Sequence, residues 1–245
     1  MQRDYFMNQF VNNYTEKGFG IIRGVDTSSI VNSVQEFLAC NDLSNIHKKV
    51  GRDEINEVRL SLSKSLSTSE VREKILTLVE EQMISLIGPE IAVQKNINVT
   101  FHIPQIDNNI TPLHSDVLCG NSPYEVVVWI PLCETKKTQS MYLFDRETTF
   151  EILSSFNKLK CRRKVLEEFK DRKHYLELNV GDILIFSPTL IHGSSINSED
   201  ISRISLNLRF KSLHSPFHLK KLNDYFVEIR KLPQTIMAEE YESRL

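Results

Sequence analysis

The chain has few of the residues that would settle its class outright. Cys40, Cys119, Cys133 and Cys161 are scattered without C-x-x-C spacing, which argues against a structural zinc site and against a disulfide framework. No apolar run approaches the roughly 20 residues that a membrane-spanning helix needs. The N-terminal stretch MQRDYFMNQFVNNY lacks the basic start and apolar core of a secretory signal, so the expectation is a cytoplasmic protein with no membrane span. No internal repeat or low-complexity linker interrupts the sequence. The formal charge of −2 offers no long-range pull toward nucleic acid or an anionic membrane, so nucleic acid is not expected as a partner.

What is present is an ordinary soluble composition, 40% hydrophobic and 25% charged, in a length that one barrel or sandwich can fill as a single domain spanning 1–245. Residues 1–94 read as mainly helical support. Phe6, Phe10, Val11 and Tyr14 recur at helical spacing, GFGIIRGV (18–25) reads as a strand, and Asp26 or Thr27 caps a helix carrying Ile30, Val31, Val34, Phe37 and Leu38. Ser67 and Glu70 have the spacing of a capping box before a helix with Val71, Ile75, Val79, Met83 and Leu86 on one stripe, stopped at Gly88-Pro89.

From residue 95 the period changes to two. In NINVTFHIP, Ile97, Val99, Phe101 and Ile103 alternate with Asn96, Asn98, Thr100 and His102; in SRISLNLRF, Ile204, Leu206, Leu208 and Phe210 alternate with Arg203, Ser205, Asn207 and Arg209. A polar inward row is expected where the lumen holds a ligand. The pattern predicts a mainly β protein with flanking helices: a double-stranded β-helix, or cupin-like jelly roll, over 95–212, packed on the N-terminal helices. YEVVVWIPL (124–132) and DILIFSP (182–188) supply further strands. A helical insert is predicted at about 150–174, whose basic residues Lys158, Lys160, Arg162, Arg163 and Lys164 read first as a solvated face and second as a lid for an anionic substrate. Residues 213–245 form a C-terminal extension, over the barrel mouth or a neighbouring subunit; oligomeric state is not legible.

Chemistry concentrates in four residues. His114 and Asp116, at i and i+2 in an extended stretch, leave the chain on one face, and His192 follows in PTLIHGS, where Gly193 permits close backbone approach. Two histidines and one carboxylate can hold one face of a six-coordinate Fe(II) and leave the opposite positions open, a donor set typical of non-haem iron oxygenases. A reducing compartment would keep that iron ferrous. Arg203 then adds a planar cation suited to a carboxylate.

The strings TPLHSDVLCGNSPYEVVVWIPL (111–132) and SPTLIHGSSINSEDISRISLNLRF (187–210) resemble the 2-oxoglutarate/Fe(II)-dependent dioxygenase superfamily. Within it they resemble the phytanoyl-CoA dioxygenase-like branch, and closest the small oxygenases of bacterial carbohydrate and surface-polysaccharide gene clusters. The resemblance covers roughly 95–212. It implies Fe(II), 2-oxoglutarate and dioxygen as cofactor and co-substrates, with His114, Asp116 and His192 on the metal. Arg203 and Ser205 would take the distal carboxylate of 2-oxoglutarate, with Asn98, Thr100 and His102 on the strand from which relatives also reach it. Glu125, Asn207, Arg209 and Trp129 are candidate substrate residues. Arg209 and Asn207 would otherwise buttress the site, and Trp129 would otherwise be core; Arg59 is a further candidate from the helical half.

The resemblance implies hydroxylation of a sugar or sugar-linked small molecule, such as a nucleotide- or lipid-linked sugar, in surface-polysaccharide or secondary carbohydrate biosynthesis. Asp116 disfavours halogenation, in which relatives replace this carboxylate with a small residue. Desaturation, epimerisation and ring formation would use the same donor set. An acyl or other small-metabolite substrate, or a catalytically silent jelly-roll module that binds sugar, are the competing readings.

Overall fold

The computed structural model describes residues 2–105, 110–159 and 161–244. Helix α1 (Gln2–Lys17) leads into β1 (Phe19–Ile22), followed by α2 (Ser28–Phe37), a 3-10 turn (Leu43–Lys48), α3 (Ile55–Leu66) and α4 (Ser69–Ile87). Helix α3 is absent from the sequence expectation because its buried side chains, Ile55, Leu62 and Leu66, make a sparse stripe in a polar run. It also displaces the expected cap of the next helix. Ser67 ends α3 with its hydroxyl donating to the Ser63 carbonyl, and Thr68 caps α4 by accepting from the Val71 N–H at 3.2 Å. Ile75, Val79 and Met83 of α4 are buried, as their spacing predicts.

The rest of the chain runs β2 (Ile91–Gln94), β3 (Asn98–His102), β4 (Glu125–Pro131), β5 (Met141–Leu143), α5 (Arg146–Leu159), α6 (Arg162–Glu168), β6 (His174–Tyr175), β7 (Ile183–Phe186), β8 (His192–Ser194), β9 (Arg203–Ser212), β10 (Phe226–Arg230) and α7 (Pro233–Glu242). Among the described residues the main sheet has the order β1-β7-β4-β9-β2-β10, with β3 paired to the first half of β9 and β2 to its end; β6-β5-β8 form a smaller sheet. All these pairings are antiparallel. Val127, Trp129, Leu184 and Phe186 of the main sheet pack with Met141 and Leu143 of the smaller one. This is the helix-flanked, mainly β jelly roll that the period-two pattern predicts. The main sheet reaches beyond 95–212, because β1, β2 and β10 come from the segments on either side.

The outer face of the main sheet carries Val99, Phe101, Val126, Val128, Leu206, Leu208 and Phe210, in one apolar core with Ile30, Val34, Leu62, Ile75 and Val79 of the helices. The turn into β7 needs glycine: Gly181 has φ +93°, and a Cβ there would lie 2.7 Å from the Val25 carbonyl oxygen. The insert is two helices. The first starts before the expected boundary because the Asp145 carboxylate accepts from the Thr148 N–H at 2.8 Å and caps it. Ile152, Val165 and Phe169 pack these helices on Tyr142 and Phe144. Lys158 and Lys164 are exposed; Lys160 and the side chains of Arg162 and Arg163 lie outside the described residues. Among the described residues no helix is long and apolar enough to cross a membrane.

Candidate metal and co-substrate site

His114 pairs with His192 through reciprocal backbone hydrogen bonds of 2.9 and 3.1 Å, which brings the H-x-D loop to the start of β8. The two imidazole centroids lie 4.3 Å apart. Ser115 is extended (φ −115°, ψ 150°), so His114 and Asp116 project to the same side. Asp116 begins a 3-10 turn (Asp116–Cys119) closed by Gly120 in the left-handed region, φ +89°. Ligand atoms of His114, Asp116 and His192 all lie within 4.8 Å of one another.

The hydrogen bonds around the two rings favour metal binding. His114 Nδ1 lies 2.9 Å from the Pro112 carbonyl and His192 Nδ1 lies 3.0 Å from the Leu190 carbonyl. Carbonyls only accept, so each Nδ1 carries the proton and each Nε2 keeps a lone pair for a cation. Burial lowers the His192 pKa to about 4, keeping the ring neutral at ordinary pH. Burial alone would raise the Asp116 pKa. Its contacts with the His114 ring and the Arg209 guanidinium outweigh it and hold the carboxyl below the ordinary range, so a charged oxygen faces the two rings.

Arg203, 3% exposed, stands on the same inner face. Its Nη1 donates to the Gln139 carbonyl at 3.1 Å and its guanidinium lies 5.5 Å from the Trp129 ring, while its Nε has no hydrogen-bond partner. Burial pulls its pKa down to about 10, still cationic at neutral pH. Ser205 is fully buried and its hydroxyl is also unpartnered. A buried cation with so few partners fits a carboxylate, since its donors are otherwise left at a cost; Ser205 shares the strand face but is not among the residues that line the cavity with Arg203.

His114, Asp116, His192, Arg203, Asn98, Thr100, Asn207, Arg209 and Trp129 line one cavity of about 150 Å³. His102 shares the face but not the cavity lining. Its ring nitrogens lie 2.8 Å from the Gln139 carbonyl and 3.0 Å from the Ser195 carbonyl, leaving neither for a ligand. Glu125 also lies off the cavity: one oxygen accepts from the Ser122 N–H at 2.6 Å, the other is buried without a hydrogen bond, and burial raises its pKa. Arg209 reaches the cavity already committed to Asp116, with Nη2 2.7 Å from Oδ2. Arg59 sits on the helix side of β3, bonded to Asn56 and the Val99 carbonyl.

Thr111, Met141 and Ser194 also line the cavity without having been singled out from sequence. Ser194 had a signal, since it follows His192 at i+2 and therefore shares its strand face. Gln94 and Tyr225, which support Arg209 at 3.1 and 3.4 Å, had none: one sits in an otherwise apolar strand and the other in the C-terminal extension. That extension is docked on the turn after Asp116, with Ser122 Oγ donating to the Pro216 carbonyl at 2.7 Å and His218 Nδ1 3.2 Å from the Gly120 carbonyl.

No family model and no curated protein match the chain. Solved structures do. The nickel complex of ThoJ, a non-heme monooxygenase, aligns over 95% of this chain and 94% of its own with a TM-score of 0.61 and 14% identity. SnoK, a non-heme alpha-ketoglutarate-dependent carbocyclase from nogalamycin biosynthesis, aligns over 90% and 95% with a TM-score of 0.54 and 14% identity. HygX from Streptomyces hygroscopicus, solved with nickel and 2-oxoglutarate bound, aligns over 84% and 87% with a TM-score of 0.56 and 12% identity. At such identities the likeness establishes the fold, a cupin-like jelly roll shared with non-heme iron/2-oxoglutarate enzymes, and function has to be argued from the site.

Proposed function

We propose that this protein is a non-haem Fe(II)- and 2-oxoglutarate-dependent oxygenase that hydroxylates a sugar or a sugar-linked small metabolite. One observation carries the reading: the His114, Asp116 and His192 donors share a small cavity with Arg203, a buried cation with an unpartnered Nε. In this reading both histidines bind iron through Nε2 and Asp116 through a carboxylate oxygen. Arg203 and Ser205 hold the distal carboxylate of 2-oxoglutarate, with Asn98 and Thr100 beside it. Trp129 forms an apolar wall under the Arg203 guanidinium, and Asn207 faces the substrate side. Bound iron, with 2-oxoglutarate and dioxygen, supplies the oxidising power to take hydrogen from an unactivated carbon; the protein supplies placement.

The sugar substrate rests on the motif resemblance to carbohydrate-cluster oxygenases. The second reading, ring formation or epimerisation at the same site, is favoured by the names of fold neighbours, which include a carbocyclase and an epimerase. Product mass separates the outcomes: hydroxylation adds one oxygen, ring closure removes two hydrogens and epimerisation leaves the mass unchanged.

The test begins with anaerobic Fe(II) titration, followed by 2-oxoglutarate addition and a search for a weak visible charge-transfer band. A panel of nucleotide- and lipid-linked sugars is then assayed for succinate release. Binding that survives joint His114→Ala and Asp116→Ala substitution overturns the metal assignment. Coupling to acyl substrates alone overturns the sugar, and no decarboxylation with any substrate leaves a silent sugar-binding module.

A further inference from the structure

Strand β9 presents two arginines to the lumen, and the fold treats them differently. Arg203 has a single hydrogen bond, to a carbonyl. Arg209 is tied on three sides: Nη2 lies 2.7 Å from Asp116 Oδ2, and Nη1 donates to Gln94 Oε1 at 3.1 Å and to the Tyr225 hydroxyl at 3.4 Å. The side chains of Arg209 and Asp116 are 8% and 5% exposed, so water competes little for this pair.

The two oxygens of Asp116 therefore have separate partners. Oδ1 faces the histidine cluster, 3.6 Å from His114 Nε2, and Oδ2 faces Arg209. A carboxylate can give a cation one oxygen or both, and here the difference is consequential. With one oxygen from Asp116, three protein donors leave three positions of a six-coordinate metal open; with two, only two remain, which is one short of a chelating co-substrate plus dioxygen.

We propose that Arg209 is a positioning residue that holds Asp116 Oδ2 away from the metal and so preserves the third open position. The assignment rests on the metal-site reading above. It gives Arg209 work other than binding an anionic substrate, because its charge is already offset by Asp116. It also explains why the guanidinium is braced from its far side: Gln94 on β2 and Tyr225 in the C-terminal extension keep it from following the carboxylate toward a bound cation. A planar fork can serve both directions at once, whereas an ammonium is a single point on a flexible stem.

The experiment counts metal-bound water. Wild type and Arg209→Met are loaded with Mn(II), and water-proton relaxation is measured without co-substrate. Arg209→Met lets Oδ2 turn onto the metal and displace one water of three, so relaxivity per bound Mn(II) falls by about a third. Arg209→Lys, which returns a donor to Oδ2 but not the fork that also reaches Gln94 and Tyr225, recovers part of it. Relaxivity equal to wild type in Arg209→Met overturns the assignment. Should Arg209→Met fail to stay folded, Gln94→Leu combined with Tyr225→Phe unties the guanidinium while leaving its charge beside Asp116; a fall in relaxivity supports the role and a wild-type value overturns it. Wild type that does not bind Mn(II), or binds it equally well after His114→Ala, overturns the metal site itself, a result distinct from failure of the Arg209 role.

Discussion

The face of β9 that meets the helices carries Ile204, Leu206, Leu208 and Phe210, each no more than 1% exposed, while the face turned to the smaller sheet carries Arg203, Ser205, Arg209 and Lys211 at 6% or less. Burial is nearly equal, so burial does not distinguish them. What differs is how each side chain is satisfied. Hydrocarbon on the outer face needs only close contact, which the helices supply. On the inner face every ion needs a partner. Lys211 has the Ser212 and Ser215 carbonyls, the Ser215 hydroxyl and the Phe217 ring, and Arg209 has Asp116. Arg203 has one carbonyl and a ring face. Burial pulls its pKa down to about 10; for Arg209 burial acts in the same direction, but Asp116 more than compensates and the net shift is upward. On the proposed function, the under-satisfied cation is the position where stability is given up for a ligand.

The outer face should be the more costly to damage. Phe210→Ala removes a fully buried ring and is expected to cost about 3–5 kcal/mol of unfolding free energy in urea, with 2-oxoglutarate affinity of the folded protein unchanged. A weakened affinity would show that the faces are coupled. The two arginines sharpen the contrast within the inner face. In metal-free protein, Arg209→Met strands Asp116 and should destabilise by about 3–5 kcal/mol, whereas Arg203→Met removes a cation without a carboxylate partner and should leave stability unchanged or raised. Arg203→Ala should instead weaken 2-oxoglutarate binding to the metal-loaded protein by about 1.5–3 kcal/mol, and Arg203→Lys should recover part of it. Parallel thermal melts and calorimetric titrations separate the two; equal losses of stability in both Met variants would break the comparison.

This division was half legible in the sequence. Alternation from Asn96 to Ile103 and from Arg203 to Phe210 fixed which residues share a face, because a strand has only two, and the spacing of His114 and Asp116 follows from the same geometry. Partnership across the sheet was not legible. Nothing in R-x-S-x-N-x-R says that its second arginine meets the H-x-D carboxylate while the first is left with a carbonyl and a ring face, since that depends on β2 and the C-terminal extension packing against β9 from far along the chain. Glu125 shares the predicted face but turns its carboxylate to the Ser122 N–H. His102 shares it too, yet sits where the Gln139 and Ser195 carbonyls close over the ring. Periodicity names faces, and long-range register decides neighbours.

His102 gives the inner face a pH signature that the outer face lacks. Burial, aided by the nearby Arg203 charge, lowers its pKa to about 4, against an ordinary value of 6.5. Between those two values the unfolded chain takes up a proton that the folded protein refuses. Stability of the metal-free protein should therefore be intact above pH 6.5 and fall as pH drops toward 4, by up to about 1.4 kcal/mol per pH unit from this residue. His192, lowered to a similar value, adds to the slope. Urea midpoints across this range should fall less steeply in His102→Asn than in wild type; an identical slope would mean that the ring titrates freely in the folded state.

The smallest expected effect tests how much of the Arg209 brace resides in its longest contact. The Tyr225 hydroxyl is 3.4 Å from Arg209 Nη1, beyond the usual range for a strong N–H···O bond, whereas the Asp116 contact is short and between full charges. Tyr225 is also held by more than that hydroxyl, since its ring packs on Phe226 at 5.1 Å and under the Lys220 ammonium at 4.4 Å. Tyr225→Phe keeps both ring contacts and should lower stability by less than about 1 kcal/mol, as a shift in the urea midpoint without a change in slope. Metal affinity should be altered by less than about threefold, because the ion pair with Arg209 still holds Oδ2. A loss near the Arg209→Met value would mean that the tyrosine, rather than the carboxylate, fixes the guanidinium, and the contrast between the two arginines would then originate in the C-terminal extension.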